Sequence, residues 1–218
     1  MSTFQTRRCT DPRCRLRFPV AAESALGDRC PHCGAATEAI DLAYATEGAG
    51  ALGDRAPGPA LEVLLDNVRS LQNVGAILRS ADGVGVRQVH VGGFTPTPDH
   101  PKMAKTALGA EAVIPWTRHR EGLEAAEELR ARGLRLWALE GGAGSSSLFE
   151  APAIDPGEEI ALIVGHEVSG VDPRIVDLCD AVVRIPMLGI KGSLNVAVAF
   201  GIAAYAIRFG LRAPAIGG

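Results

Sequence analysis

Five polar side chains stand where their type and spacing could do chemistry: Asn73, Arg79, Glu167, Ser193 and Asn195. Ser193 and Asn195 lie at the head of an apolar run, 194–207, LNVAVAFGIAAYAI, which reads as a helix apolar almost all round. Ser193 could cap that helix, its hydroxyl accepting from a free first-turn N–H. Asn195, read as the third helical residue, needs a partner, because a buried amide without one costs roughly 1–3 kcal/mol. It is either a doubly satisfied cap or part of a pocket floor, where helix N–H groups face a polar ligand. Asn73 reads as the N-cap of a helix over Val74–Ala81, with Arg79 on its second turn. A surface salt bridge is the plain role for Arg79. Its place at the carboxyl end of a βα unit, where α/β sites lie, favours a functional one. Glu167 follows a buried-type strand, with Gly165 allowing close backbone approach and Gly170 permitting a turn.

Cysteines make a second constellation. Cys9-x4-Cys14 and Cys30-x2-Cys33 are two pairs separated by fifteen residues. The second reads CPHCG, a knuckle in which Pro31 stiffens the turn and Gly34 lets it curl. Four thiolates at this spacing suit tetrahedral Zn²⁺. Disulfides are the alternative, disfavoured in a reducing compartment. His32 reads as a bystander. Such a metal site is closed and structural, and it would supply the folding energy of a module too small for a core. Arg7, Arg8, Arg13, Arg15 and Arg17 crowd the same stretch. They read as phosphate contacts for a nucleic acid, or else as a solvated face. Residues 1–40 hold six arginines against four acids, a surplus of +2 in a chain of net charge −3. The remainder is therefore acidic, which excludes a uniformly basic nucleic-acid binder.

The 218 residues suit one domain plus a small module. The opening MSTFQTRR has no apolar core, and the longest apolar run is too short to span a membrane. A cytoplasmic protein is expected. Residues 1–40 read as the metal module, 41–60 as a Gly/Ala/Pro-rich linker, and 61–218 as the main domain.

The elements that must position the site alternate. Strands are expected at Leu61–Leu65, Gln88–Val91, Val113–Pro115, Leu134–Leu139, Glu159–Val164 and Ala181–Ile185. Helices are expected at Val74–Ala81, Pro101–Leu108, Arg120–Arg132, from Asp172-Pro173 to about Leu178, and over Leu194–Ile207. This pattern predicts an α/β fold with a mostly parallel sheet and helices on both faces. The loop EGGAGSSS, 140–147, could cradle a phosphate or touch a cofactor, but lacks the lysine of a Walker sequence. No G-x-G-x-x-G follows the first strand, which disfavours a Rossmann dinucleotide binder.

Three motifs carry a resemblance. DNV, N-x-G-x-x-x-R and RSAD around Asn73–Arg79, G-x-E-x-x-G at Gly165–Gly170, and IPMxG followed by SLNVAVA occur in that order. Together with KTALGAEAVIPW they resemble the SpoU (TrmH-like) branch of the SPOUT RNA 2'-O-ribose methyltransferases over residues 61–209. His166 departs from the small residue common there, and the zinc-ribbon-like module is an addition. The resemblance implies a C-terminal trefoil knot, S-adenosylmethionine held by Leu139, Gly165, Ile185 and Leu194, and Asn73, Arg79, Glu167, Ser193 and Asn195 as the polar site. It implies rRNA or tRNA as substrate; at such a site Arg79 would hold phosphate and stabilise the developing alkoxide, and Glu167 could orient it. A non-catalytic RNA-binding or assembly factor keeping the fold is the alternative. A homodimer is expected both from the family and from the last helix. That helix is too apolar for a lone domain to cover, and Gly201 and Ala203–Ala204 would admit a second helix.

Overall fold

The computed structural model describes residues 3–45, 58–142, 144–151, 154–155 and 157–210, and divides into two compact units, Met1–Asp54 and Arg55–Gly218. Residues 46–57, most of the expected linker, lie outside the described residues, as do 211–218.

In the first unit β1 (Thr3–Cys9) is the central strand. It pairs antiparallel with β2 (Arg17–Ala21), β3 (Thr37–Ala39) and β4 (Tyr44–Ala45). The module therefore runs to residue 45, five residues beyond its expected end, because β4 closes on Thr3 and Phe4. Its only large stacked pair, among the described residues, is Phe4 on Tyr44.

The second unit is a seven-stranded parallel sheet in the order β7-β6-β5-β10-β8-β11-β9. Its strands are β5 (Ala60–Asp66), β6 (Gln88–Gly92), β7 (Trp116–His119), β8 (Arg135–Leu139), β9 (Ser146–Ser147), β10 (Glu159–Val164) and β11 (Ala181–Arg184). The helices are α1 (Leu71–Val84), α2 (Ala104–Ala107), α3 (Gly122–Ala131), α4 (Pro173–Leu178) and α5 (Val196–Phe209). β5 and β10 are mostly apolar, broken inside β5 only by the buried Glu62, because parallel strands inside such a sheet are covered on both faces. Alternation then sorts their side chains. Val63, Leu65, Ile160 and Leu162 join the core under α1 and α5, with Ile77, Phe200 and Ala203. Leu64, Ala161 and Ile163 join the core under α3 and α4, with Ala126, Leu129 and Ile175.

The expected strand at Val113–Pro115 is the irregular link that follows a 3-10 turn, Ala110–Ala112, and the strand comes after it at Trp116–His119. Leu108 and Gly109, both at positive φ, end α2 and shift the register, and Pro115 offers only its carbonyl, to Val89 N. α2 is shorter than expected, because residues 101–103 form a turn before it and Leu108 ends it. α1 starts earlier than expected: its N-cap is Ser70, whose hydroxyl accepts from Asn73 N. Asn73 is therefore not the cap and its side chain is free to point elsewhere. Ser193 is not a cap either. Asn195 caps α5, its Oδ1 accepting from Ala197 N at 2.9 Å and Val198 N at 3.4 Å.

The small residues of α5 are used inside the chain. Ala203 and Ala204 are buried in the core, and Gly201 faces Ser80 of α1. Within the chain, the helix packed against these small residues is α1. What α5 leaves uncovered is a stripe of Val198, Tyr205 and Phe209, each about half exposed and spaced by seven and four residues on one face. Among the described residues no helix is long and apolar enough to cross a membrane.

Candidate active site

At the carboxyl edge of the sheet three distant loops meet. The strand β10 ends at Gly165, which abuts the next turn so closely that a Cβ there would overlap the backbone of Gly170 and Val171. His166 and Gly170 then exchange backbone hydrogen bonds of 3.0 and 2.9 Å, which turn Glu167 toward the start of α1. Glu167 Oε2 accepts from Arg69 N at 3.0 Å, and Oε1 accepts from Ser70 N at 2.9 Å and Asn73 Nδ2 at 2.8 Å. Asn73 Oδ1 in turn accepts from Asn195 Nδ2 at 3.0 Å. One chain of hydrogen bonds thus ties the head of α1, the loop after β10 and the cap of α5.

Burial alone would raise the Glu167 carboxyl. The N–H groups of Arg69 and Ser70, its own backbone N–H and the Asn73 amide outweigh this and bring it down to about 2. In the core Glu62 is similar. Burial raises it, but His90 and the Arg132 guanidinium hold it at about 2. Both folded values lie below the ordinary carboxylate value, so their stabilisation is complete above pH 4.5 and is lost as pH falls toward 2. Discounted for solvent screening of the half-buried Glu167, the two groups are expected to contribute about 3 kcal/mol to the difference in urea unfolding between pH 5 and pH 2.5, and Glu167→Gln should make that slope shallower. An identical slope in the variant would show that Glu167 does not hold its proton off in this way.

Arg79 is not in this constellation. It lies six residues along α1 from Asn73, about 9 Å along the axis and on a different face. It is exposed and makes no hydrogen bond or ion pair among the described residues. The expected orientation of Arg79 by Glu167 is corrected, because the α1 N–H groups and Asn73 take up the carboxylate. Ser193 is exposed on the loop before α5.

Beside Glu167 opens a cavity of about 510 Å³, well within the range of small-molecule sites. Leu139, Gly165, Ile185 and Leu194 all line it, with Ser193 and Glu167 at its polar side. The cavity also holds a residue that sequence reasoning missed. Glu140 accepts from Val171 N and Gly141 N, both at 2.9 Å; its signals were the EGGAGSSS loop that it opens and its place at a strand's carboxyl end. Ser70 was missed as well, although it stands three residues before Asn73 at capping distance.

In the separate N-terminal unit the Sγ atoms of Cys9, Cys14, Cys30 and Cys33 all lie within 4.8 Å of one another. Cys9 and Cys33 are 3.4 Å apart and Cys14 and Cys30 3.8 Å, close to the roughly 3.8 Å edge of a tetrahedron with 2.3 Å Zn–S bonds. All four are free thiols. Burial raises Cys9 to about 12, whereas for Cys30 the N–H groups of Cys33 and His32 overcome burial and bring it to about 6. His32 Nδ1 sits 3.5 Å from Cys14 Sγ, outside the thiol cluster. The arginines beside it are not equivalent. Arg7 bonds Thr37 and pairs with Asp28, Arg8 pairs with Glu38 at 2.6 Å and Arg17 with Asp41 at 3.4 Å. Arg7 is thereby part-buried and bound within the module, which leaves it little free for a phosphate. Arg13, 3.9 Å from Asp11 but with its side chain 93 % exposed, and Arg15 are open to solvent.

Comparison with known proteins agrees with this geometry. The family model described as "SpoU rRNA Methylase family" matches residues 60–205. The chain is 36% identical over 151 residues to the 23S rRNA (guanosine-2'-O-)-methyltransferase RlmB of Pseudomonas syringae pv. tomato, covering 68% of this chain and 58% of that protein. It is 35% identical over 141 residues to the tRNA (guanosine(18)-2'-O)-methyltransferase of Thermus thermophilus, covering 65% and 70%. An AdoMet-bound rRNA methyltransferase from Sinorhizobium meliloti superposes with a TM-score of 0.65 at 28% identity, covering 72% of this chain and 59% of that one. The chain thus spans about three fifths of the RlmB sequence it matches. Motif order, sheet and family match converge, and the chain belongs to the SpoU rRNA methylase family.

Proposed function

We propose that this protein is a cytoplasmic enzyme that transfers a methyl group from S-adenosylmethionine to a ribose 2'-hydroxyl of structured RNA, either rRNA or tRNA. The observation that carries this reading is the Glu167–Asn73–Asn195 chain at the mouth of the 510 Å³ cavity. The names of its relatives point to the same chemistry. The cavity suits the cofactor: apolar walls at Leu139, Ile185 and Leu194, and backbone at Gly165 that a nucleoside can approach closely. When bound, S-adenosylmethionine supplies an electrophilic methyl on a good leaving group.

The chain's own residues must then position the hydroxyl and manage its proton. Glu167, at about 2, is too weak a base for that proton at neutral pH. It is a positioning group, which fixes Asn73 and the head of α1. Ser193 and Asn195 complete the polar rim of the acceptor side. Arg79 stays cationic at any working pH and cannot act as a base. It holds phosphate and stabilises the developing alkoxide.

The exposed position of Arg79 fits a homodimer. Arg79 and Gly83 share a face of α1. Gly83 packs beside the Tyr205 hydroxyl, on the uncovered apolar stripe of α5. A second copy on that stripe would place Arg79 at the rim of the interface, where a site shared by two subunits needs it. A trefoil knot belongs to this reading. Its supports are β11 lying between β8 and β9, and α5 returning across β5, β8 and β10. The zinc module, through Arg13 and Arg15, is the part that selects RNA.

Arg79→Ala tests the assignment. kcat for methyl transfer to total RNA should fall at least about 100-fold, the effect of one lost electrostatic group. S-adenosylmethionine affinity by calorimetry should stay within twofold. Near-normal turnover would remove Arg79 from the chemistry. Binding of RNA and cofactor with no label transferred by the unaltered protein would favour the assembly-factor alternative.

A further inference from the structure

Phe94 is a large apolar residue left 59 % exposed beside the active site, and the fold holds it rigidly. Its neighbours are both fixed. Thr95 is buried, with Oγ1 donating to Leu65 O at 3.1 Å and accepting from Val68 N at 2.9 Å. Gly93 is at φ 63°, and a Cβ there would overlap the Asn67 carboxamide. Asn67, itself at φ 57°, accepts from Phe94 N at 3.3 Å and donates to Asp66 at 2.8 Å. A non-glycine residue at positive φ is a local cost that surrounding structure must sustain. Here it sustains a loop whose exposed product is one aromatic ring.

That ring meets His166 edge-on, centroids 5.9 Å apart and planes at 83°. His166 lines the cavity and directly precedes Glu167. Its Nδ1 accepts from Val168 N at 3.1 Å and Ser169 N at 3.2 Å, so the ring proton of the neutral imidazole sits on Nε2. An exposed aromatic face and a directed N–H donor therefore stand together at the mouth of the cavity. RNA-binding proteins read unstacked bases with this pair of features: a ring to stack on and a donor or acceptor for the base edge.

We infer that Phe94 and His166 form the seat for the base of the target nucleotide, with the base stacked on Phe94 and an acceptor on its edge taking the His166 Nε2–H. The inference rests on the methyl-transfer reading and adds which residues choose the nucleotide. A base turned out of its stack into this seat would leave its ribose at the Glu167–Asn73–Asn195 chain.

The test uses the full chain, tritiated S-adenosylmethionine and total RNA from cells lacking the protein. Phe94→Ala should raise the half-saturating RNA concentration about tenfold or more, the scale of one lost stacked base. S-adenosylmethionine affinity and the mass by light scattering should not change. Phe94→Trp should restore RNA affinity and Phe94→Leu should not, because leucine replaces the apolarity without the ring. His166→Ala should broaden the set of 2'-O-methylated nucleosides found after digestion. Wild-type kinetics in Phe94→Ala, equal rescue by leucine, or conversion to a monomer would each overturn the base seat while leaving methyl transfer standing. RNA that takes no label from the unaltered protein would overturn both.

Discussion

Gly165→Ala is expected to reduce S-adenosylmethionine affinity at least about 100-fold and to lower the unfolding free energy by about 2–3 kcal/mol. The added methyl would meet the backbone of Gly170 and Val171, and backbone cannot turn aside as a side chain can. The only relief is to push the 166–170 turn outward. That movement carries Glu167 away from Arg69 N, Ser70 N and Asn73, and it moves a wall of the cavity. Calorimetric titration with the cofactor, beside a urea melt, measures both effects. Affinity within threefold of the unaltered protein would show that the cofactor does not lie against this turn.

The second large effect concerns the metal. If the four thiols hold zinc as proposed, Cys30→Ser with Cys33→Ser is expected to abolish zinc binding and unfold the N-terminal unit outright. Among the described residues of this unit the only buried apolar side chains are Cys9 and Cys30 themselves, so a metal held by the four thiols would serve as its core. The second unit should still bind S-adenosylmethionine with unchanged affinity, since its sheet and cavity are built wholly from residues 58–210. At limiting RNA its rate should fall about tenfold, as a tethered second contact is lost, and the steepness of its salt dependence should fall with it. Arg13→Ala with Arg15→Ala should reproduce the RNA defect without releasing zinc, whereas Arg7→Ala should destabilise the unit. Atomic absorption and rates at graded salt separate these outcomes. Equal rates at limiting RNA would show that the module only stabilises.

What the chain determines locally was legible in its sequence. Alternating apolar runs predict the parallel sheet with helices on both faces, and Glu159–Val164 and the helix from Pro173 to Leu178 need no adjustment. Cysteine spacing alone predicts the thiol cluster, since two tight turns can bring short pairs to one point. Leu139, Gly165, Ile185 and Leu194, named on resemblance, line one cavity. What spacing could not supply was the choice of partners. Glu167 and Asn73 are 94 residues apart, and Asn73 and Asn195 are 122 apart. Nothing in either local pattern says which donor reaches a carboxylate. The Ser70 cap of α1 is local, but tertiary packing brought Glu167 to the Asn73 amide and left Arg79 on the solvent face. It likewise paired Arg7 inside the module while leaving Arg13 and Arg15 outside. Periodicity reports which side of an element is buried. The direction of a polar side chain depends on hydrogen-bond groups brought from elsewhere in the chain, and only the folded arrangement of the three loops decides it.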